Sequence, residues 1–189
     1  MQLNDKIRIE APREQVYAAL NDLEILRKSI PGCEQIEQIS ETELIATAVI
    51  KIGPIKAKFK GQVTLSDLNP PNSYTISGEG KGGSAGFAKG GAKVSLEEDG
   101  EATILRYEVQ ADVGGKLAQL GSRLIEGTSK RLAGQFFESF KEIVDQTPAD
   151  EKIAAAGAAE PKSALHPLIG IVCCGLIAAA VIYFLVTGM

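Results

Sequence analysis

The chain has 189 residues, 20 of them basic and 24 acidic, for a formal net charge of -4. That length holds one sizeable domain plus an appendage, and the charge argues against a dominant nucleic-acid role, which needs a concentrated positive surface. Three cysteines, Cys33 and the adjacent Cys173 and Cys174, make neither a disulfide framework nor a zinc set, and the opening MQLNDKIRIE has no secretory pattern, so a reducing cytoplasm suits it best.

Residues 3–10 alternate Leu3, Asp5, Ile7 and Ile9 against polar neighbours, the pattern of a half-buried strand. Pro12 then sits where a helix can begin, because its missing N–H has no partner there. Val16, Ala19, Leu20 and Leu23 give that short helix an inner face. Asn21-Asp22 supplies a break and a new N-cap, and Ile30-Pro31-Gly32 stops a second short helix. Arg27 and Lys28 fall in its last turn, where they complement the helix dipole.

From Cys33 the period becomes two. Strands are expected at 36–40 and 44–52, joined by the turn Glu41-Thr42-Glu43, and Gly53-Pro54 turns the chain again. The cleanest alternation follows. Ile55, Ala57, Phe59, Gly61, Val63 and Leu65 point one way, and Lys56, Lys58 and Lys60 the other. With Lys51 these lysines read first as a solvated outer face, and second as a contact for an acidic partner or anionic lipid. Asn69-Pro70-Pro71-Asn72 closes that strand.

The next two strands have an unusual inner phase. It runs Tyr74, Ile76, Gly78, Gly80, Gly82 in one and Gly86, Ala88, Gly90, Ala92, Val94, Leu96 in the other. A core face normally carries large residues. Glycine in regular structure costs up to roughly 1 kcal/mol relative to alanine, so a run of them needs a reason. Two are open: bulges and sharp curvature, or a slot filled by something other than side chains. A phosphate loop fits poorly, since the run alternates as strand and lacks the Gly-Lys-Ser/Thr ending. Asp99-Gly100 then turns into a last strand, 103–113, with Leu105, Tyr107, Val109, Ala111 and Val113 inward.

Residues 113–144 carry Leu117, Leu120, Leu124, Thr128, Leu132, Phe136, Phe140 and Ile143 at helical spacing. This predicts one amphipathic helix of about 45 Å. The expected fold is α+β, a curved antiparallel sheet closed by that long helix. Residues 147–163 are rich in Ala, Pro and charge and read as a flexible tether. Residues 165–187 contain no formal charge and are long enough to span a bilayer core. The expected organisation is a domain at 1–146, a linker at 147–164 and a C-terminal transmembrane helix at 165–187. Tyr183 and Phe184 suit the far interface, and Lys162 the cytoplasmic side.

Catalysis has little to stand on. The one histidine, His166, lies beside Pro167 at the membrane edge, so the globular part has no imidazole base. Asp5 with Tyr107 is the one inward acid–tyrosine pair that can be named, and each also reads as an ordinary structural residue. Cys173 and Cys174 read as small packing residues.

One strand, two short helices, six strands and a closing helix resemble the helix-grip, START-like fold of the SRPBCC superfamily. The segments GPIKAKFKGQVTL (53–65), GEGKGGSAGFAKGGA (78–92) and VGGKLAQLGSRLI (113–125) are similar to the CoxG family of carbon monoxide dehydrogenase subunits. That resemblance implies a non-catalytic accessory protein recruiting a molybdenum hydroxylase of the carbon monoxide dehydrogenase type to the cytoplasmic membrane. It also implies a hydrophobic cavity able to hold a quinone or similar lipid, with the domain facing the cytoplasm. The candidate lining is Phe59, Tyr74, Ile76, Gly78, Gly80, Gly90, Leu105, Tyr107, Leu124, Thr128 and Leu132. The other readings are an adaptor with a closed core, and a START-like enzyme or carrier for an apolar molecule.

Overall fold

In a computed structural model of the protein, residues 2–145 are described; the tether expected at 147–164 and the span expected at 165–187 lie outside them. Among the described residues no helix is long and apolar enough to cross a membrane.

Strand β1 (Gln2–Ile9) buries Leu3 and Ile9 and leaves Asp5 exposed on the same phase. Pro12 precedes α1 (Arg13–Ala19), whose Val16, Tyr17 and Ala19 are buried. The Asp22 carboxylate accepts the N–H groups of Glu24 and Ile25 at 2.9 and 3.1 Å, capping α2 (Leu23–Ser29). This satisfies two of the donors that a helix start leaves open.

The chain then runs as an antiparallel meander: β2 (Cys33–Gln38), β3 (Glu43–Ile52), β4 (Ile55–Asn69), β5 (Ser73–Lys81), β6 (Phe87–Asp99) and β7 (Ala102–Gly114). β1 joins β7, giving the seven-stranded order β1-β7-β6-β5-β4-β3-β2, with β1 and β2 as free edges. The alternation in β4 appears as expected, with Phe59, Gly61, Val63 and Leu65 buried and Lys56, Lys58 and Lys60 exposed. β2 starts at Cys33, three residues earlier than its apolar pattern indicates, and Ile39 falls in the turn after it, 56% exposed.

The closing helix α3 (Ser122–Asp145) is shorter than its spacing suggests, at 24 residues, or about 36 Å. β7 continues to Gly114, and a single 3₁₀ turn at Ala118–Leu120 intervenes. Leu117 keeps to the apolar stripe without being helical. It is fully buried, and its N–H donates to the Ala85 carbonyl at 3.0 Å, pinning this connection to the β5–β6 loop. Gly121, at φ +84, allows the change of direction into the helix. From there Ile125, Thr128, Leu132, Phe136 and Phe140 face the core, while Leu124 stays 41% exposed. The core is therefore a layer of sheet side chains such as Phe59, Tyr74 and Leu105 beneath the α3 phenylalanines and α2.

Candidate functional site

At Gly78 and Gly90 the glycine strands are closed by backbone. A Cβ on Gly78 would lie 2.4 Å from the Gln62 carbonyl oxygen, and one on Gly90 would lie 2.1 Å from that of Gln110. Gly78 and Gly90 are cross-strand partners, flanked in the same row by Val63 and Ala111. At that row the neighbouring strand occupies the volume that a side chain would need. One step nearer the loop, a Cβ on Gly82 would meet the Phe59 ring at 2.2 Å. An aromatic ring therefore lies against that backbone.

Gly90 and Gly91 also border a shallow recess of about 600 Å³ with Gln110 and Asp112, and a larger opening lies elsewhere. Between the free edge strand β1 and the C-terminal half of α3 runs a crevice of about 930 Å³. Its apolar floor is Leu3 and Ile7 of β1, Tyr107 of β7 and Phe137 of α3. Tyr107 and Phe137 stack with ring centroids 5.4 Å apart and planes at 20°, and Phe136 meets Phe137 edge-on at 4.9 Å. Gly134 lies at the helix side of the opening, and a Cβ there would meet nothing within 4 Å. The rim is charged, with Asp5 on the strand side and Lys130, Glu138, Lys141 and Glu142 on the helix. Lys130 is held by Glu126 one turn earlier at 2.9 Å.

Asp5 and Tyr107 are cross-strand partners, as the inward phase implies. Among the described residues no hydrogen bond joins them, and their coupling is electrostatic. Burial first, and the Asp5 charge second, push the Tyr107 hydroxyl up to about 12. At neutral pH it is a protonated donor on an aromatic ring at the floor of the crevice.

Of the residues expected to line a ligand cavity, Tyr107 lies on this crevice. Phe59, Tyr74, Ile76, Leu105 and Leu132 are buried in the core, Gly80 is buried, and Gly78 and Gly90 are half-buried within β5 and β6. Thr128 is buried and donates its hydroxyl to the Leu124 carbonyl one turn back, at 2.9 Å. Leu124 projects outward over the Gly53 turn, where a Cβ would come within 3.0 Å of it. Sequence reasoning missed Phe137 and Gly134. The signal for Phe137 was its place beside Phe136, one step off the assumed stripe. For Gly134 it was a helix-interior glycine, which costs stability and so asks for a reason.

A seven-stranded antiparallel sheet gripping one long C-terminal helix, with an open crevice between edge strand and helix, is a START-like fold. Solved structures agree. A conserved protein from Geobacillus kaustophilus is 32% identical with a TM-score of 0.73, over 77% of this chain and 96% of that one. A START superfamily protein from Mycobacterium smegmatis is 13% identical with a TM-score of 0.55, over 77% and 97%. The Zhui aromatase/cyclase from Streptomyces sp. R1128 is 12% identical with a TM-score of 0.56, over 84% and 99%. No curated protein matches. The model of the CoxG family, named for a subunit of carbon monoxide dehydrogenase, matches residues 6–145, and the chain belongs to that family.

Proposed function

We propose that this protein is a non-catalytic accessory subunit that brings a molybdenum hydroxylase of the carbon monoxide dehydrogenase type to the cytoplasmic membrane. In this reading the tail at 165–187 is the anchor and the globular domain faces the cytoplasm. The crevice between β1 and α3 receives a quinone or similar lipid. Family membership over residues 6–145 supports the partner class. The uncharged 23-residue stretch at 165–187 supports the anchor.

The observation that carries the ligand is the aromatic floor of the crevice. A flat ring can lie along the Tyr107–Phe137 stack, and the protonated Tyr107 hydroxyl can donate to a ring carbonyl. Leu3 and Ile7 offer apolar surface for a tail, and the gap beside Gly134 gives an entry path. The bound quinone would supply electron-accepting chemistry; the chain's own residues bind it, orient it and shield it from water. The closed backbone packing at Gly78 and Gly90 favours a second reading, recruitment without any ligand.

A flotation assay with the full chain, vesicles and the partner hydroxylase separates these ideas. The hydroxylase should rise with vesicles only when the full chain is present, and quinone should be extracted from the same fraction. A hydroxylase left at the bottom of the gradient would end the recruitment reading. Recruitment with no extractable quinone would leave the second reading standing.

A further inference from the structure

The antiparallel meander sorts the connections between two ends of the domain, and the ends differ in charge. The β3–β4, β5–β6 and β7–α3 connections share one end. Residues 51–56, 81–87 and 114–124, which form it, contain Lys51, Lys56, Lys81, Lys116 and Arg123 and no acid. The β2–β3, β4–β5 and β6–β7 connections form the other end. Residues 39–43, 66–72 and 97–101 there contain seven acids and no Lys or Arg.

Ion pairing sharpens the difference. At the acidic end Asp99, Glu98 and Glu97 are partnered by Arg8, Arg13 and Arg106 at 2.8, 2.8 and 3.0 Å. At the basic end Lys81 meets Glu79 at 2.7 Å, whereas Lys51, Lys56, Lys116 and Arg123 are exposed and have no ion pair among the described residues. The basic end also exposes Phe87 (44%) and Leu124 (41%), the latter packed over the β3–β4 turn at Gly53. Unpaired cations beside exposed apolar side chains suit an interface that offers anionic headgroups and acyl chains together. The acidic end exposes Ile39 and Leu68 as well, but Glu41, Glu43, Asp67 and Glu101, which have no ion pair among the described residues, are repelled by such a surface.

We propose that the basic end of the domain docks on an anionic lipid bilayer, leaving the acidic end turned away toward the cytoplasm. This rests on the tail-anchor reading and adds an orientation to it. The chain leaves α3 beside α1, where the Gln15 side-chain amide donates to the Val144 carbonyl at 3.3 Å, and this is the acidic end. The exit point does not dictate the orientation. Residues 146–164 can reach roughly 60 Å when extended, further than the ~36 Å length of α3. Charge then selects the face, at about fivefold in partition for each basic residue brought to an anionic surface.

The test uses the full chain with Cys33→Ser, Cys173→Ala and Cys174→Ala. A donor dye goes on Ser84→Cys at the basic end or on Glu101→Cys at the acidic end. The protein is reconstituted in phosphatidylcholine vesicles, with or without a third phosphatidylglycerol, carrying an acceptor dye on the headgroups. In anionic vesicles, energy transfer from position 84 is expected to be at least twice that from position 101. The ratio should fall to about one in neutral vesicles, in K51E/K56E/K116E/R123E, and in molar salt, where the screening length is about 3 Å. Protein that floats but shows equal transfer from both ends would overturn the docking proposal and leave the anchor intact, as expected if the basic end serves an acidic protein instead. Protein that fails to float would remove both.

Discussion

Two regions of this domain are short of side chains, and they differ in what takes their place. In the β5–β6 ladder, Gly78 and Gly90 lie where a Cβ would come within 2.4 and 2.1 Å of a neighbouring carbonyl oxygen. Beside the β1–α3 crevice, Gly134 lies where a Cβ would meet nothing within 4 Å. Glycine in a strand can mean that another backbone is coming through, while glycine on an open helix face can mean room for a ligand. The same residue reports opposite things, and only the crossing geometry tells which.

That contrast can be broken most forcefully in the β5–β6 ladder. Gly90→Leu forces a side chain into the Gln110 carbonyl and the Ala111 backbone, contacts that cannot give way cheaply. We expect a loss of about 3 kcal/mol or more, read as a collapse of the urea midpoint or as failure to accumulate folded protein. Gly82→Leu should cost less, on the order of 1–3 kcal/mol, because what it meets first is the Phe59 ring rather than backbone. Equal tolerance at Gly90 and Gly134 would dissolve the comparison.

The crevice makes its own predictions. Tyr107 keeps its proton in the folded state up to about 12, against an unfolded value of 10.0. The folded state thus holds a proton that the unfolded chain releases first. Stability is full below pH 10 and declines as pH rises toward 12, by on the order of 1–2 kcal/mol. Denaturation across that window should show the decline in the wild type and a shallower one in Tyr107→Phe; parallel curves would contradict the buried-phenol account. The smallest effect is expected at Gly134→Ala, a gain of about 0.5–1 kcal/mol from helix propensity alone, visible as a raised melting temperature.

Much of the fold was legible because local chemistry and tertiary role agree. Pro12, Asp22 and Pro31 mark the short helices, and the lysine alternation of β4 marks a sheet with one wet face. The start of α3 was not legible from spacing. Leu117, Leu120 and Leu124 continue the helical period backward, yet Leu117 is buried by the β5–β6 loop, through a hydrogen bond to Ala85 that no local pattern encodes. The candidate site was legible only in part. Tyr107 was found from its strand phase. Phe137 and Gly134 acquire meaning from the edge strand that faces them, more than 120 positions away in sequence. The expectation of empty space under the glycine strands turned on which strand crosses there and how closely, which alternation does not carry.

The most direct test of the account is native mass spectrometry of the full chain released from lipid nanodiscs, wild type beside Gly134→Leu. The account predicts a quinone-sized adduct on the wild type that is lost from a Gly134→Leu variant whose melting temperature is no lower than the wild type's, since leucine there gains helix propensity and fills the crevice without touching the core. An adduct retained in full by that variant, or an adduct-free wild type in quinone-containing lipid, would contradict the crevice as the ligand site.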